Sequence, residues 1–131
     1  MKILIAEDEY VSRKFLYKFL SEYGECDVTV DGMEAIEAFL MALDEGSPYD
    51  LICLDIMMPE VDGLKALKTI RQLENEKNLD RDDRAKIIMT TALNYTKEVN
   101  EAFESGSEAY AAKPINTDKL LEVLKKLGLV K

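Results

Sequence analysis

Short apolar runs and longer amphipathic stretches alternate five times along the chain. The runs at 3–6, 28–30, 51–54, 87–89 and 109–112 are short enough to be strands. After each of them apolar residues recur with i, i+3 and i+4 spacing: Val11, Phe15, Leu16, Phe19 and Leu20; Ala35, Ile36, Phe39, Leu40 and Leu43; Leu64, Leu67 and Ile70; Val99, Ala102 and Phe103; Leu120, Leu121, Leu124 and Leu127. That spacing predicts five helices, each with one apolar face. Asp62, Thr96 and Thr117 stand where helix starts need caps, and Gly24, Gly46 and Gly106 where helices should stop. The first, third and fourth runs are apolar without alternation, which is what strands covered on both faces of a parallel sheet require. Helices must then lie on both sides, so the predicted fold class is α/β, a doubly wound (βα)5 sandwich.

A chain of 131 residues suits one domain with a sizeable core. Its composition, 47% hydrophobic and 33% charged, is that of a globular protein. The net charge of −9 would repel a nucleic-acid backbone, so nucleic acid is not an expected partner. No apolar run is long enough for a signal peptide or a membrane span, which predicts a cytoplasmic protein with no membrane partner. Cys26 and Cys53 offer no metal-ligand spacing and read as small core fillers. The charged stretch 75–84 reads as a solvated helix extension and loop. Its aspartates do not form a calcium loop, because Ala85 occupies the position that needs glycine.

In open parallel sheets ligands bind at the carboxyl ends of the strands. The first run delivers Glu7 and Asp8 there, the third Asp55, the fourth Thr90 and Thr91, and the fifth Lys113 followed by Pro114. Three carboxylates on one rim would destabilise one another unless a cation neutralised them. With no histidine in the chain and no paired cysteines, all-oxygen ligation points to Mg²⁺, with Mn²⁺ an alternative. Mg²⁺ commonly shares its shell with a phosphate, so phosphoryl chemistry is expected.

The acidic pair Glu7-Asp8, the segment LDIMMPEVDG around Asp55, MTTA containing Thr91, the aromatic Tyr110, and Lys113-Pro114 occur in this order, each at a strand end. This set resembles the response-regulator receiver domain, the family of the stand-alone chemotaxis regulator. The resemblance spans residue 1 to about residue 127. It implies a flavodoxin-like sheet of order 2-1-3-4-5. In that order strands two and three are not neighbours, which disfavours a Cys26–Cys53 bond.

Carried over residue by residue, the resemblance implies that Asp55 accepts the phosphoryl group and that Lys113 pairs with it. Asp8, Asp55 and the Met57 main-chain carbonyl would hold Mg²⁺, with Glu7 acting through water; aspartate is the commoner residue at the Glu7 position. Thr91 would hydrogen-bond the new phosphoryl group and Tyr110 would change rotamer. Met57 and Leu93 would flank the path of a hydrolytic water, and both are apolar. The implied donor is a phosphohistidine on a sensor histidine kinase or a histidine phosphotransfer protein, and the implied output is binding to a downstream protein target.

The expected protein is a single receiver domain over 1–131 without an effector domain. It would not be an enzyme beyond its own phosphorylation and dephosphorylation. A phosphorelay carrier and a docking-only pseudo-receiver are the alternatives. An aspartyl phosphatase would need a second acid where Met57 stands. A P-loop binder would need glycines where the chain reads EDEY.

Overall fold

The computed structural model describes residues 1–92 and 96–131. Strands β1 (Lys2–Ala6), β2 (Glu25–Thr29), β3 (Leu51–Asp55), β4 (Lys86–Ala92) and β5 (Ala109–Lys113) alternate with helices α1 (Tyr10–Leu20), α2 (Gly32–Asp44), α3 (Gly63–Glu76), α4 (Thr96–Glu104) and α5 (Thr117–Lys126). All pairings are parallel, and the sheet runs β2-β1-β3-β4-β5. This is the doubly wound, flavodoxin-like arrangement.

Successive strand residues point to opposite faces, so the sheet builds two cores. On one face Leu4, Ala6, Ile52, Leu54, Ile87 and Met89 pack with Phe39 of α2, Leu67 and Ile70 of α3, and Val99 and Ala102 of α4. On the other, Ile3, Ile5, Leu51, Cys53 and Ile88 pack with Leu16 and Leu20 of α1 and Leu120 and Leu124 of α5. The continuous apolar runs of β1, β3 and β4 are thus explained by double coverage. Cys26 on β2 and Cys53 on β3 are free thiols with β1 between their strands.

Local expectations change at β2 and at two helix starts, and Thr96 is the first helical residue of α4 rather than a residue before it. The second strand starts at Glu25 rather than at Val28 and ends before Val30. Lys2 pairs with Glu25 and Ala6 with Thr29, so β1 dictates the register; as an edge strand β2 tolerates the polar residues ECD that hide it from an apolar-run search. The cap of α5 is Asn116, whose side chain accepts from the Lys119 amide, and Thr117 is the first helical residue. Asp62 caps α3 as expected, accepting from the Lys65 amide at 2.9 Å.

Within the charged stretch, α3 ends at Glu76 and Arg81–Asp83 form a 3₁₀ turn. Just before it lies a cluster that holds the opposite end of the sheet together. The fully buried Glu74 pairs with Arg71 at 2.7 Å and accepts from the Ala85 amide at 2.9 Å. Arg71 also reaches Glu108 and the Gly106 carbonyl, tying α3 to the entries of β4 and β5. Among the described residues, no helix is long and apolar enough to cross a membrane.

Gly63 sets how closely α3 can approach the end of β3. A Cβ there would lie 2.1 Å from the Asp55 carbonyl oxygen, and the Gly63 amide donates to the Ile56 carbonyl at 2.9 Å. No side chain fits without moving the backbone between Asp55 and Ile56. Gly63→Ala should therefore cost about 1–3 kcal/mol, the usual penalty for overpacking, read as a lower urea midpoint at unchanged slope.

Candidate functional site

Register decides which strand-end residues meet. Ala6 pairs with Leu54 and Asp55 with Thr90, so Glu7, Asp55, Thr90 and Ala111 form one row across β1, β3, β4 and β5. Continuing the alternation that puts Ile5, Cys53 and Ile88 in the core beneath α1 and α5, this row faces that same side. Glu7 is fully buried, Asp55 is 5% exposed, and Asp8 turns to solvent. One carboxylate oxygen from each of the three lies within 4.8 Å of the others.

Lys113 enters this group from β5. Its Nζ lies 3.1 Å from Asp55 Oδ2, which accepts a hydrogen bond, and 2.6 Å from Glu7 Oε1. The Glu7 contact is an ion pair whose approach is too oblique for a hydrogen bond, so Glu7 Oε1 is a buried oxygen without an aligned donor. Glu7 Oε2 accepts from the Glu9 amide at 3.1 Å, and Asp55 Oδ1 from the Met57 amide at 3.3 Å. Arg13, which the sequence pattern did not single out, donates to the main-chain carbonyls of Glu7 and Asp8 and so fixes the turn that presents them. A side chain serving only backbone carbonyls leaves no motif.

Burial raises the Asp55 carboxyl far above its ordinary value, and the neighbouring Glu7 raises it further against the opposing pull of Lys113; the net direction is upward, towards neutrality. Burial also disfavours the charged Lys113 ammonium, but its contacts with Glu7 and Asp55 prevail and lift it above the ordinary 10.5. One ammonium among three carboxylates leaves a local surplus of negative charge. That surplus, the oxygen-only donor set and the unaligned Glu7 Oε1 fit a divalent cation such as Mg²⁺.

Thr91 and Tyr110 stand apart from this group. The Thr91 hydroxyl donates to the Ala92 carbonyl at 3.0 Å, and Thr91 lines a cavity of about 190 Å³ with Val99 and Phe103 of α4 and Tyr110, on the sheet face opposite Asp55. Tyr110 is 47% exposed and packs edge-on against Phe103 at 5.9 Å. The Met57 side chain is 53% exposed beside the site. Leu93 lies outside the described residues.

The family model for the response regulator receiver domain matches residues 3–125. The chain belongs to the response regulator receiver domain family. It is 32% identical over 128 residues to the hybrid signal transduction histidine kinase L of Dictyostelium discoideum, a match covering 97% of this chain and 7% of the kinase. The chain spans 6–10% of the length of four histidine kinases that it matches in this way. In structure it resembles the CheX–CheY–BeF3–Mg²⁺ complex from Borrelia burgdorferi, with a TM-score of 0.83 and 25% identity over 100% of this chain and 90% of the other. It also resembles the complex of the Saccharomyces cerevisiae histidine phosphotransfer protein Ypd1 with the Ssk1 receiver domain, with a TM-score of 0.79 and 26% identity over 95% and 87% of the two chains. This chain is thus a receiver domain of two-component and phosphorelay signalling.

The raised Asp55 carboxyl ties stability to pH in the receiver without metal. The folded state holds a proton on Asp55 at pH values where the unfolded chain has released it, so this group's stability is fully present below about pH 4, the ordinary carboxylate value, and is lost as pH rises towards neutrality. Lys113, raised above 10.5, stays charged throughout that window. In chelator, Asp55→Asn should melt several degrees above the wild type at pH 8, at roughly 3–4 °C per kcal/mol, and the gap should narrow as pH falls to 5. A gap that widens on acidification would contradict this account.

Proposed function

We propose that this receiver accepts a phosphoryl group on Asp55 from a phosphohistidine, carried by a sensor histidine kinase or a histidine phosphotransfer protein, and then signals by binding a downstream protein. The observation that carries the proposal is Asp55 itself, nearly buried at the end of β3, hydrogen-bonded by Lys113 at 3.1 Å and facing the acidic cluster.

Asp8, Asp55 and the Met57 main-chain carbonyl would hold Mg²⁺, or Mn²⁺ in its place, with Glu7 reaching it through water. When bound, the cation neutralises charge on the transferring phosphoryl oxygens. The other roles belong to this chain. An Asp55 oxygen attacks phosphorus, the P–N bond breaks, and its electron pair returns to the donor imidazole, which takes up a proton. Lys113 follows the developing negative charge from the carboxylate to the phosphoryl oxygens, and the buried walls exclude competing water. The receiver catalyses nothing besides its own phosphorylation and dephosphorylation, and this reading places it in the cytoplasm with its donor.

Signal output follows from Thr91 and Tyr110. In this reading the Thr91 hydroxyl leaves the Ala92 carbonyl for the phosphoryl group, and Tyr110 turns into the cavity beside Phe103 that Thr91 helps to line. Two arrangements of one buried hydroxyl and one exposed ring supply the two-state element that coupling needs. The match to a small part of a hybrid signal transduction histidine kinase favours, as a second reading, a relay carrier that passes the phosphoryl group on. A docking-only pseudo-receiver is disfavoured because acceptor, acidic cluster and lysine are all present and in contact.

Acetyl phosphate with Mg²⁺ should label the protein on Asp55, as located by mass spectrometry. Chelator or Asp55→Asn should abolish labelling, and Lys113→Ala should slow it roughly 10²-fold, the usual loss for one charge-stabilising group. Stable label on another residue would refute the assignment. The apolar Met57 cannot orient an attacking water, so Met57→Asn should shorten the lifetime of the acyl phosphate. An unchanged decay rate would remove Met57 from that role.

A further inference from the structure

Among the described residues, two buried side-chain oxygens lack a hydrogen-bond partner: Glu7 Oε1 and Thr90 Oγ1. Both belong to the row that contains Asp55. Thr90 is 1% exposed, pairs in register with Asp55, and sits on a strand whose neighbouring residues are Ile87, Ile88 and Met89. Valine would fill the same volume there without burying an unpartnered hydroxyl, a replacement that costs nothing or stabilises. A buried hydroxyl without a partner calls for a physical explanation.

The path of Lys113 identifies that partner. Lys113 pairs with Ala92 at the end of β5, whereas its ammonium reaches Asp55 on β3 and Glu7 on β1. To do so the side chain must cross β4, running diagonally from the level of Ala92 to the level of Thr90 and Asp55. Neighbouring strands are about 4.8 Å apart, so Thr90, level with Asp55 and on the same face, is the β4 residue that this course passes. An ammonium has three donors; one meets Asp55, and a second lies against Glu7 obliquely.

We propose that Thr90 is a positioning residue for Lys113: its hydroxyl accepts the ammonium N–H that Asp55 gives up when a divalent cation claims that carboxylate. Thr90 then holds Lys113 over the acceptor until the phosphoryl oxygens arrive. The inference rests on the phosphoryl-acceptor reading and adds to it a neutral acceptor that cation binding does not draw away.

The test compares wild type, Thr90→Val and Thr90→Ser in calorimetric titrations with MgCl2, in melts with chelator, and in labelling by acetyl phosphate at saturating Mg²⁺. One lost hydrogen bond predicts about a fivefold rise in the Mg²⁺ dissociation constant for Thr90→Val, together with a slower maximal labelling rate. Its melting temperature in chelator should equal or exceed that of the wild type, and Thr90→Ser should behave as wild type in affinity and rate. A valine variant with unchanged affinity and rate overturns the inference. So does a serine variant as impaired as the valine one, or a valine variant that melts lower in chelator, because either marks a packing role. Wild-type protein that binds no Mg²⁺ overturns the metal reading and this inference together, whereas wild-type binding with an unaffected valine variant overturns this inference alone.

Discussion

The Lys113 ammonium spans the carboxyl end of the sheet, from β5 to Asp55 on β3 and Glu7 on β1, and the rest of the site is arranged around it. Two buried carboxylates side by side would repel each other and resist leaving water; a single shared cation makes their burial tolerable. The requirement is geometric as well as electrostatic. β1 and β3 must be adjacent, β4 must be narrow enough to cross, and α3 must begin close against the Asp55 carbonyl, where Gly63 leaves room.

That neutralisation is incomplete, and the incompleteness is what makes the site usable. Glu7, Asp8 and Asp55 outnumber the one lysine, so the resting protein holds a carboxyl raised by burial and by its neighbour. In the proposed reading a divalent cation would relieve that strain and bring the positive charge that an incoming phosphoryl group needs. Stability given up in the resting state would thereby become affinity for the cation, a trade common where ionisable groups are buried together for chemistry. The far end of the sheet shows the contrast: Glu74, fully buried, has Arg71 and the Ala85 amide as partners, and so serves as a fastener.

The two threonines of β4 divide the labour because adjacent strand residues face opposite ways. Thr90 faces the carboxylates and Lys113, beneath α1 and α5. Thr91 faces the cavity shared with Val99, Phe103 and Tyr110 at α4. The acidic cluster on one face and the Phe103–Tyr110 pair on the other are therefore served by residues adjacent along the chain. In the proposed reading, a hydroxyl that turns at Thr91 would connect them without any large movement of the sheet.

Much of this was legible in the order of residues alone. The five apolar runs with helical stretches between them specify (βα)5, because a buried parallel strand needs continuous apolar residues and a covering helix needs a 3.6-residue period. Strand ends occupied by Glu7, Asp8, Asp55 and Lys113 point to one acidic rim, because charge at the close of a buried run requires a partner. Tertiary structure decided what local patterns do not carry. The edge strand β2 is polar, so its start at Glu25 emerged from pairing with β1, and the choice of Asn116 over Thr117 as cap depended on where the chain turned into α5. Glu7 is buried while Asp8 faces solvent, and Thr90 rather than Thr91 shares the row of Asp55, because both depend on register between strands far apart in sequence. Period tells which residues share a face within one element; only the packed sheet sets which faces and levels of different elements meet.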